Sequence, residues 1–154
     1  MNPHKEIIKL LDQNKIDYEK IEHEAVYTCT QAAKVRGVSE DSGAKALLLK
    51  ADGKFILALL QGDRRLDSKK LKKMLGIKSF RFATPDEVIA TMHCEIGACY
   101  PFGNIVNLPT YADVNLANME SINFNAGHHE KSINMKWVDF KKIAKPIIIN
   151  IAQE

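Results

Sequence analysis

Residues 45–60 read KALLLKADGKFILALL, two apolar runs separated by the tripeptide Ala51-Asp52-Gly53. Asp-Gly is a preferred centre of a tight hairpin turn, because both of its residues tolerate positive φ. Residues 45–50 and 54–60 are therefore predicted to pair as antiparallel strands. This hairpin is the clearest β-structure in the sequence, and the other elements are assigned around it.

Helix boundaries are marked by capping residues on both sides of the hairpin. Asn2-Pro3 is typical of an N-cap followed by proline in the first turn, and Thr84-Pro85-Asp86-Glu87 is a capping box. The predicted helices run from Asn2 to residues 12–14, from Thr28 or Thr30 to Gly37, from Asp67 or Ser68 to Gly76, from Thr84 to about Met92, and over residues 138–144. Further strands are predicted at residues 18–23, 78–82, 105–108, 121–125 and 132–137, with Gly127-His128-His129 as the turn between the last two.

The order of these elements indicates the fold class. Short strands, several at hairpin spacing and with helices between them, favour an α+β fold. We expect a mixed, partly barrel-like β-sheet surrounded by helices. The apolar tail at residues 147–151 is expected to pack on this sheet or on a partner chain.

Length and composition favour one domain over residues 1–154. The chain has 154 residues, 45% of them hydrophobic, which is enough to bury a substantial single core. Its longest apolar runs, such as residues 55–60, are far too short to span a bilayer. Three cysteines leave an odd count, as expected of reduced thiols. We therefore expect a cytoplasmic protein with no membrane partner.

Positive charge is concentrated in one segment. Between Arg64 and Arg81 there are eight basic residues and one acid, whereas the whole chain carries a net charge of +3. A polyanion such as tRNA would meet an oriented basic surface there. The expected tRNA contacts are Arg64, Arg65, Lys69, Lys70, Lys72 and Lys73. The alternative is that the lysines only solvate the outer face of a helix whose inner face is apolar.

Residues 97–103, GACYPFG, combine two glycines and a proline directly after a helix-like segment. Backbone N–H groups exposed in such a loop can hold a carbonyl oxygen or an anion, although the same spacing also describes ordinary loops. A second unusual residue is Lys45, whose neighbours at 44 and 46–49 are all small or apolar. Its ammonium either points outward from the strand or meets an anion.

Five segments in this order resemble the YbaK/ProX family of aminoacyl-tRNA deacylases, whose relative is the editing domain inserted in bacterial prolyl-tRNA synthetase. They are His23 to Thr28, the Lys45 strand, Leu75-Gly76 with Phe82-Ala83, the glycine and proline loop, and Asn125-Ala126-Gly127. The resemblance runs from about His23 to Phe140. It implies the fold expected above and an enzyme that hydrolyses the ester of mischarged aminoacyl-tRNA, with no cofactor or metal.

The resemblance also implies which residues act. Lys45 would anchor the terminal adenosine and phosphate of the tRNA and orient the ester, while the adjacent ribose hydroxyl assists the attacking water. Gly97 and Pro101 would belong to the loop that holds the aminoacyl carbonyl and amino group. Backbone N–H groups around Gly97 and Ala98 are expected to stabilise that carbonyl. The other expected substrate contacts are His23, Thr28, Cys99, Tyr100, Phe102, Gly103, Gly127, His128 and His129. Thr28 also fits a helix cap, and the two adjacent histidines also fit a solvated turn.

Ala-tRNA(Pro) and Cys-tRNA(Pro) are the substrates that the resemblance favours, and a prolyl-tRNA synthetase is the protein partner it suggests. Two alternatives stay open. One is a tRNA- or synthetase-binding module of the same fold without activity, and the other is an ester hydrolase with Cys99 as nucleophile and His128 or His129 as base. A zinc site at His93-Cys94-Glu95 is not expected, because the Pro-Cys-x-x-Cys half of that signature is absent.

Overall fold

The computed structural model describes residues 1–154 and contains eight strands and five α-helices. The strands are β1 (Tyr18–Glu22), β2 (Ala44–Ala51), β3 (Lys54–Gln61), β4 (Phe80–Phe82), β5 (Thr110–Asp113), β6 (Ser121–His128), β7 (Lys131–Lys136) and β8 (Ile147–Ile149). The helices are α1 (Pro3–Gln13), α2 (Cys29–Arg36), α3 (Ser68–Leu75), α4 (Pro85–Met92) and α5 (Trp137–Ala144). None of these helices has the length and apolar character needed to cross a membrane.

The strands form two sheets. A mixed five-stranded sheet has the order β4-β2-β3-β5-β8, and an antiparallel three-stranded sheet has the order β1-β7-β6. A parallel bridge between Gly43 and Asn123 joins the two sheets just before β2. The predicted α+β class is confirmed, with the correction that the strands are divided between two sheets and do not close into a barrel.

The predicted hairpin is confirmed and forms the centre of the larger sheet. Ala51 pairs with Lys54, and the turn residues Asp52 and Gly53 have φ values of 46° and 84°. The Asp52 carboxylate also accepts the backbone N–H groups of Lys78 and Ser79, which lead into β4. One turn residue therefore fixes the hairpin and positions the next strand beside it.

Both faces of the larger sheet are buried. Ala44 and Leu48 belong to the main core, whereas Leu49 and Ala51 belong to a second core beneath α3 and the C-terminal tail. Residues 56–60 of β3 are all buried. A strand covered on both faces reads as a continuous apolar run, which is the pattern that marked this hairpin in the sequence.

The predicted helix caps are present. The side chains of Asn2, Thr28 and Asp67 each accept a first-turn backbone N–H, and Thr84 forms the full capping box. α2 and α3 end at Gly37 and Gly76 in the left-handed conformation. The Thr28 cap fixes the start of α2, which forms one wall of the cavity described below.

Three sequence predictions about the second half need correction. Residues Gly103–Val106 form a 3₁₀ helix, and the predicted strand at 105–108 is absent because Asn107 turns the chain with a φ of 58°. β6 extends to His128, so the hairpin turn lies at residues 129–130, and a bulge absorbs Gly127. β7 ends one residue early, since Trp137 begins α5. The apolar tail pairs as β8 alongside β5, as predicted.

Candidate active site

A cavity of about 290 Å³ opens where the two sheets meet. Its walls come from α2, the first half of β2, the strand and helix around Ala83 and Val88, residues 96–99, and β6. Most of the lining is apolar, with Ala32, Ala44, Ala46 and Leu48 among the side chains that face it. Small side chains on adjacent elements leave this space unfilled.

Four of the sequence-predicted site residues line this cavity: Thr28, Lys45, Gly97 and Cys99. Thr28 also caps α2, so its hydroxyl serves the helix as expected. The remaining predicted substrate contacts do not line it: His23, Ala98, Tyr100, Pro101, Phe102, Gly103, Gly127, His128 and His129. The glycine and proline loop therefore meets the cavity at its start and then turns into the core.

Lys45 supplies positive charge without a carboxylate partner. Its Nζ donates to the backbone C=O of Arg64, and no acidic side chain forms an ion pair with it. The ammonium lies close enough to Cys29 to oppose the rise in the pKa of that thiol caused by burial. A lysine held by one neutral oxygen keeps two N–H groups for an anionic or carbonyl ligand.

The edge of β2 adds unpaired main-chain groups beside Lys45. Gly62 N–H donates to the C=O of Gly43 on the β3 side of the strand, and Ala83 N–H donates to the C=O of Leu48 on the other side. The N–H and C=O groups of the even-numbered β2 residues therefore point away from β3. β4 pairs only with Leu49 to Ala51. The N–H and C=O of Ala46 are consequently directed at the cavity with no strand opposite them.

The loop at Gly97 has a conformation that side chains disfavour. Its φ is 89°, and its C=O accepts a hydrogen bond of 2.8 Å from Nδ2 of Asn125. Ala98 N–H donates to the C=O of Glu95 at 3.0 Å, and the Ala98 residue is buried. A tight turn thus already uses the N–H of Ala98, one of the backbone groups predicted to hold the aminoacyl carbonyl, and that role of Ala98 stays a prediction.

The residues that follow in the loop pack in the main core. Tyr100 is fully buried and its hydroxyl donates to the C=O of Met92 at 2.8 Å. Phe102 packs edge-on against Phe124 and next to Phe140. These aromatic groups anchor the loop in the core, and neither residue lines the cavity, so their contact with substrate stays a prediction.

Cys99 faces the cavity without a histidine partner. A hydrogen bond with the Cys94 thiol is the main reason that the pKa of Cys99 is lowered and that of Cys94 is raised. His129 Nδ1 contacts the C=O of Val26 at 3.0 Å, and His128 Nδ1 accepts the N–H of Glu130. Neither histidine therefore contacts the thiol as a base would.

A polar network lines the cavity beside these groups. Arg36, at the end of α2, donates to Ser132 Oγ at 2.9 Å, Asn123 Oδ1 at 2.8 Å and Asn125 Oδ1 at 3.0 Å. His23 reaches this network through a 2.7 Å contact between its Nε2 and Ser132 Oγ. His23 is therefore two hydrogen bonds away from the cavity lining, through Ser132 to Arg36.

The sequence analysis did not assign Arg36, Asn123 or Asn125 to the site. The two asparagines are separated by the buried Phe124, so the two-residue period of a strand places them on one face. That alternation was the available signal. Arg36 carried none, because a basic residue in the last turn of a helix is ordinary.

The basic segment begins beside the cavity and continues onto the second core. The C=O of Arg64 accepts from Lys45, whereas α3 packs through Leu71 on the opposite face of the sheet. Lys70 donates to the C=O of Ala152 at 2.9 Å and is held against the C-terminal tail. The remaining expected tRNA contacts on this segment are exposed or half-buried: Arg64, Arg65, Lys69, Lys72 and Lys73. No group of three or more His, Cys, Asp or Glu side chains is placed to hold a metal ion.

Comparisons with known proteins identify relatives of this chain. The family model described as an aminoacyl-tRNA editing domain matches residues 23–143. The chain is 35% identical over 152 residues to the multifunctional Ser/Thr-tRNA deacylase ProXp-y of Escherichia coli K12, covering 96% of this chain and 91% of that protein. It is 41% identical over 100 residues to the proline–tRNA ligase of Solidesulfovibrio magneticus, covering 64% of this chain and 17% of the ligase.

Solved structures share the fold. One described as a candidate trans-editing enzyme for prolyl tRNA synthetase superposes with a TM-score of 0.86 at 20% identity, over 100% of this chain and 99% of that one. The resemblance to the YbaK/ProX family is confirmed, as is the enzyme class, an aminoacyl-tRNA deacylase. The chain belongs to the family of aminoacyl-tRNA editing domains.

Proposed function

We propose that this protein acts in trans to hydrolyse tRNA esters of small, non-cognate amino acids. The observation that carries the proposal is the position of Lys45, an ammonium without a carboxylate partner at the wall of a small, largely apolar cavity. The cavity volume of about 290 Å³ is at the lower end for ligand pockets, which suits a small aminoacyl group.

The reaction requires little from the protein, because an aminoacyl ester is already activated. Glu40 is the only carboxylate that lines the cavity, and it accepts a 3.1 Å hydrogen bond from Thr30 Oγ1. In the absence of a nucleophile and base pair, the ribose hydroxyl next to the ester would assist the attacking water. Lys45 would hold the terminal phosphate and adenosine, and Gly97 would hold the aminoacyl group.

Two kinds of amino acid fit the cavity. The family resemblance favours alanine or cysteine on tRNA(Pro), and the alanine-lined wall supports a small apolar side chain. Serine and threonine form the second candidate, favoured by the polar amide of Asn123 on another wall. The name of the Escherichia coli relative, a Ser/Thr-tRNA deacylase, supports the same candidate.

The tRNA acceptor end would approach from the side of Lys45 and Arg64, where the basic segment begins. Exposed Lys69, Lys72 and Lys73 would then extend the contact to phosphates farther along the acceptor stem. Association with a prolyl-tRNA synthetase, and a cytoplasmic location with the rest of translation, belong to the same proposal.

The test is deacylation of Ala-, Cys-, Ser-, Thr- and Pro-tRNA by the purified protein. We expect at least one non-cognate ester to be hydrolysed and Pro-tRNA(Pro) to be spared. Lys45→Met should reduce the rate by about 100-fold or more, because loss of the group that holds the terminal phosphate would misplace the ester. Lys50→Met is the matched control on the same strand, since Lys50 lies over the Phe55 ring and outside the cavity lining.

Other outcomes would replace the proposal. No turnover of any ester, with tRNA binding retained, would identify a non-catalytic binding module. Loss of activity in Cys99→Ala, with activity retained in Lys45→Met, would identify a thiol-dependent hydrolase.

A further inference from the structure

Arg36 is a charged side chain whose partners are all neutral. It is half-buried at the end of α2, and its three contacts, Ser132, Asn123 and Asn125, are one hydroxyl and two amide oxygens. Burial lowers the pKa of Arg36 to about 10, still well above neutrality. Placing a cation there without a carboxylate costs stability, so its contribution has to be sought in what the guanidinium holds.

What it holds on one side is the Gly97 loop. Asn125 Oδ1 accepts from Arg36 at 3.0 Å, and Asn125 Nδ2 donates to the C=O of Gly97 at 2.8 Å. A guanidinium can only donate, so it fixes which end of the Asn125 amide faces it. The opposite end then has to be the NH₂ group, which is the donor that the Gly97 carbonyl needs.

Ser132 and His23 hold the guanidinium of Arg36 on its other side. His23 Nδ1 lies 2.6 Å from the C=O of Glu24, so that nitrogen carries the proton and Nε2 accepts from Ser132 Oγ–H. Ser132 Oγ in turn accepts from Arg36 Nε. Donors and acceptors alternate without conflict from His23 to Gly97. The guanidinium joins side chains of both β6 and β7, through Asn123 and Asn125 on β6 and Ser132 on β7.

We propose that Arg36 is a positioning residue for the deacylation reaction, which sets the location of the Gly97 loop through Asn125. This inference rests on the proposed function. The planar fork of arginine is essential to the role, because three donors must point at three fixed oxygens at once. A lysine at this position would keep the charge but would donate from a single nitrogen, without the planar fork.

The test uses Arg36→Lys, Arg36→Met, Asn125→Ala and the double variant Arg36→Met with Asn125→Ala. In single-turnover assays on the best ester from the panel above, we expect the catalytic rate constant to fall by about 10- to 100-fold in each single variant. A displacement of about 1 Å can cost that much. The half-saturating concentration should change less than about threefold, since tRNA contacts lie elsewhere.

The double variant distinguishes positioning through Asn125 from two separate effects. We expect it to be no slower than the slower single variant, because both substitutions break one connection. Lys34→Met is the matched control, an exposed cation on the same helix, and it should keep wild-type rates. Urea unfolding of every variant shows whether any rate change reflects loss of folded protein, and Arg36→Lys remains informative if Arg36→Met does not fold.

Three results would overturn the proposal. Wild-type rates in Arg36→Lys would mean that charge alone suffices, and multiplicative losses in the double variant would mean independent roles. A rise in half-saturation with an unchanged rate constant would mean that Arg36 binds substrate directly.

An inactive wild-type protein would refute the proposed function, and the Arg36 inference would then be decided by the Gly97 amide signal in a ¹⁵N-correlated NMR spectrum. Arg36→Lys and Asn125→Ala should shift that signal alike, whereas an unmoved signal in Arg36→Lys would refute the connection.

Discussion

Gly97→Ala should separate the catalytic use of the Gly97 backbone from its effect on stability. Gly97 has a φ of 89°, beyond the left-handed region in which non-glycine residues are occasionally found. Residues forced into such sparsely populated conformations typically cost about 1–3 kcal/mol. An added Cβ would lie 3.4 Å from Cε1 of His129, a tight contact that a small shift relieves. The expected loss of stability is therefore conformational, about 1–3 kcal/mol.

Gly76→Ala is the matched control for this substitution. Gly76 ends α3 with a φ of 65°, and a Cβ there would meet nothing within 4 Å. It should cost about 1–2 kcal/mol from the left-handed conformation alone. Because Gly76 lies outside the cavity lining, this variant should lose stability and keep its activity.

Activity should fall only in Gly97→Ala. Relaxation of φ would move the Gly97 C=O away from Asn125 Nδ2 and displace the loop that faces the ester. We expect kcat/KM to fall by at least about tenfold, equivalent to about 1.4 kcal/mol of transition-state stabilisation. Urea unfolding and single-turnover deacylation, measured on both variants below their unfolding transitions, give the two quantities. If Gly97→Ala lost stability but matched the activity of Gly76→Ala, the backbone at Gly97 would have no special role.

Two further substitutions test the scaffold. The hydrogen bond from Arg81 is the main cause that lowers the pKa of the Glu87 carboxyl from 4.5 to about 2. The ionised carboxylate therefore stabilises the fold above pH 4.5, and this contribution is lost as the pH falls toward 2. Glu87→Gln should therefore lose stability at neutral pH and show a flatter stability curve over that interval, measured by urea unfolding; an unchanged slope would contradict this. Asp113 is fully buried, and its Oδ1 accepts the N–H groups of Ile151 and Ala152 at 2.9 and 3.0 Å. Its Oδ2 accepts from the N–H and the Nδ2 of Asn115, so the NH₂ group of an asparagine would face donors in either orientation. Asp113→Asn should therefore cost about 1–3 kcal/mol; an unchanged urea midpoint would contradict this.

Features encoded by neighbouring residues could be predicted from the sequence. The β2–β3 hairpin follows from Asp52-Gly53, and α4 follows from its capping box, because each signal lies within four residues of the structure it specifies. The strand predicted at 105–108 shows where local pattern fails. The residues there are apolar enough for a strand, but β3 pairs with Thr110 to Ala112 instead. A parallel partner more than 40 residues away leaves no trace in the local period.

Most of the candidate site could not be predicted, because its contacts connect distant parts of the chain. Arg36 meets Ser132 across 96 positions, and Asn125 meets Gly97 across 28. Tyr100 and Phe102 are predicted as substrate contacts because they lie within the loop, and only the folded structure shows that they pack in the main core and do not line the cavity. Composition describes what a loop contains, whereas burial decides which of its atoms a ligand can reach.

The two cations at the cavity, Lys45 and Arg36, both contact only neutral oxygens, but they differ in the number of those contacts. Lys45 is held by one backbone oxygen and Arg36 by three side-chain oxygens, and neither is paired with a carboxylate. A carboxylate partner would neutralise each charge, whereas neutral oxygens leave two positive charges at the cavity against the single carboxylate of Glu40 in its lining. That potential suits a polyanion whose ester oxygen gains negative charge during hydrolysis. Lys45 is held at one point and Arg36 at three. We therefore expect loss of Lys45 to remove a contact with the substrate and loss of Arg36 to displace the Gly97 loop, with the larger fall in rate on loss of Lys45.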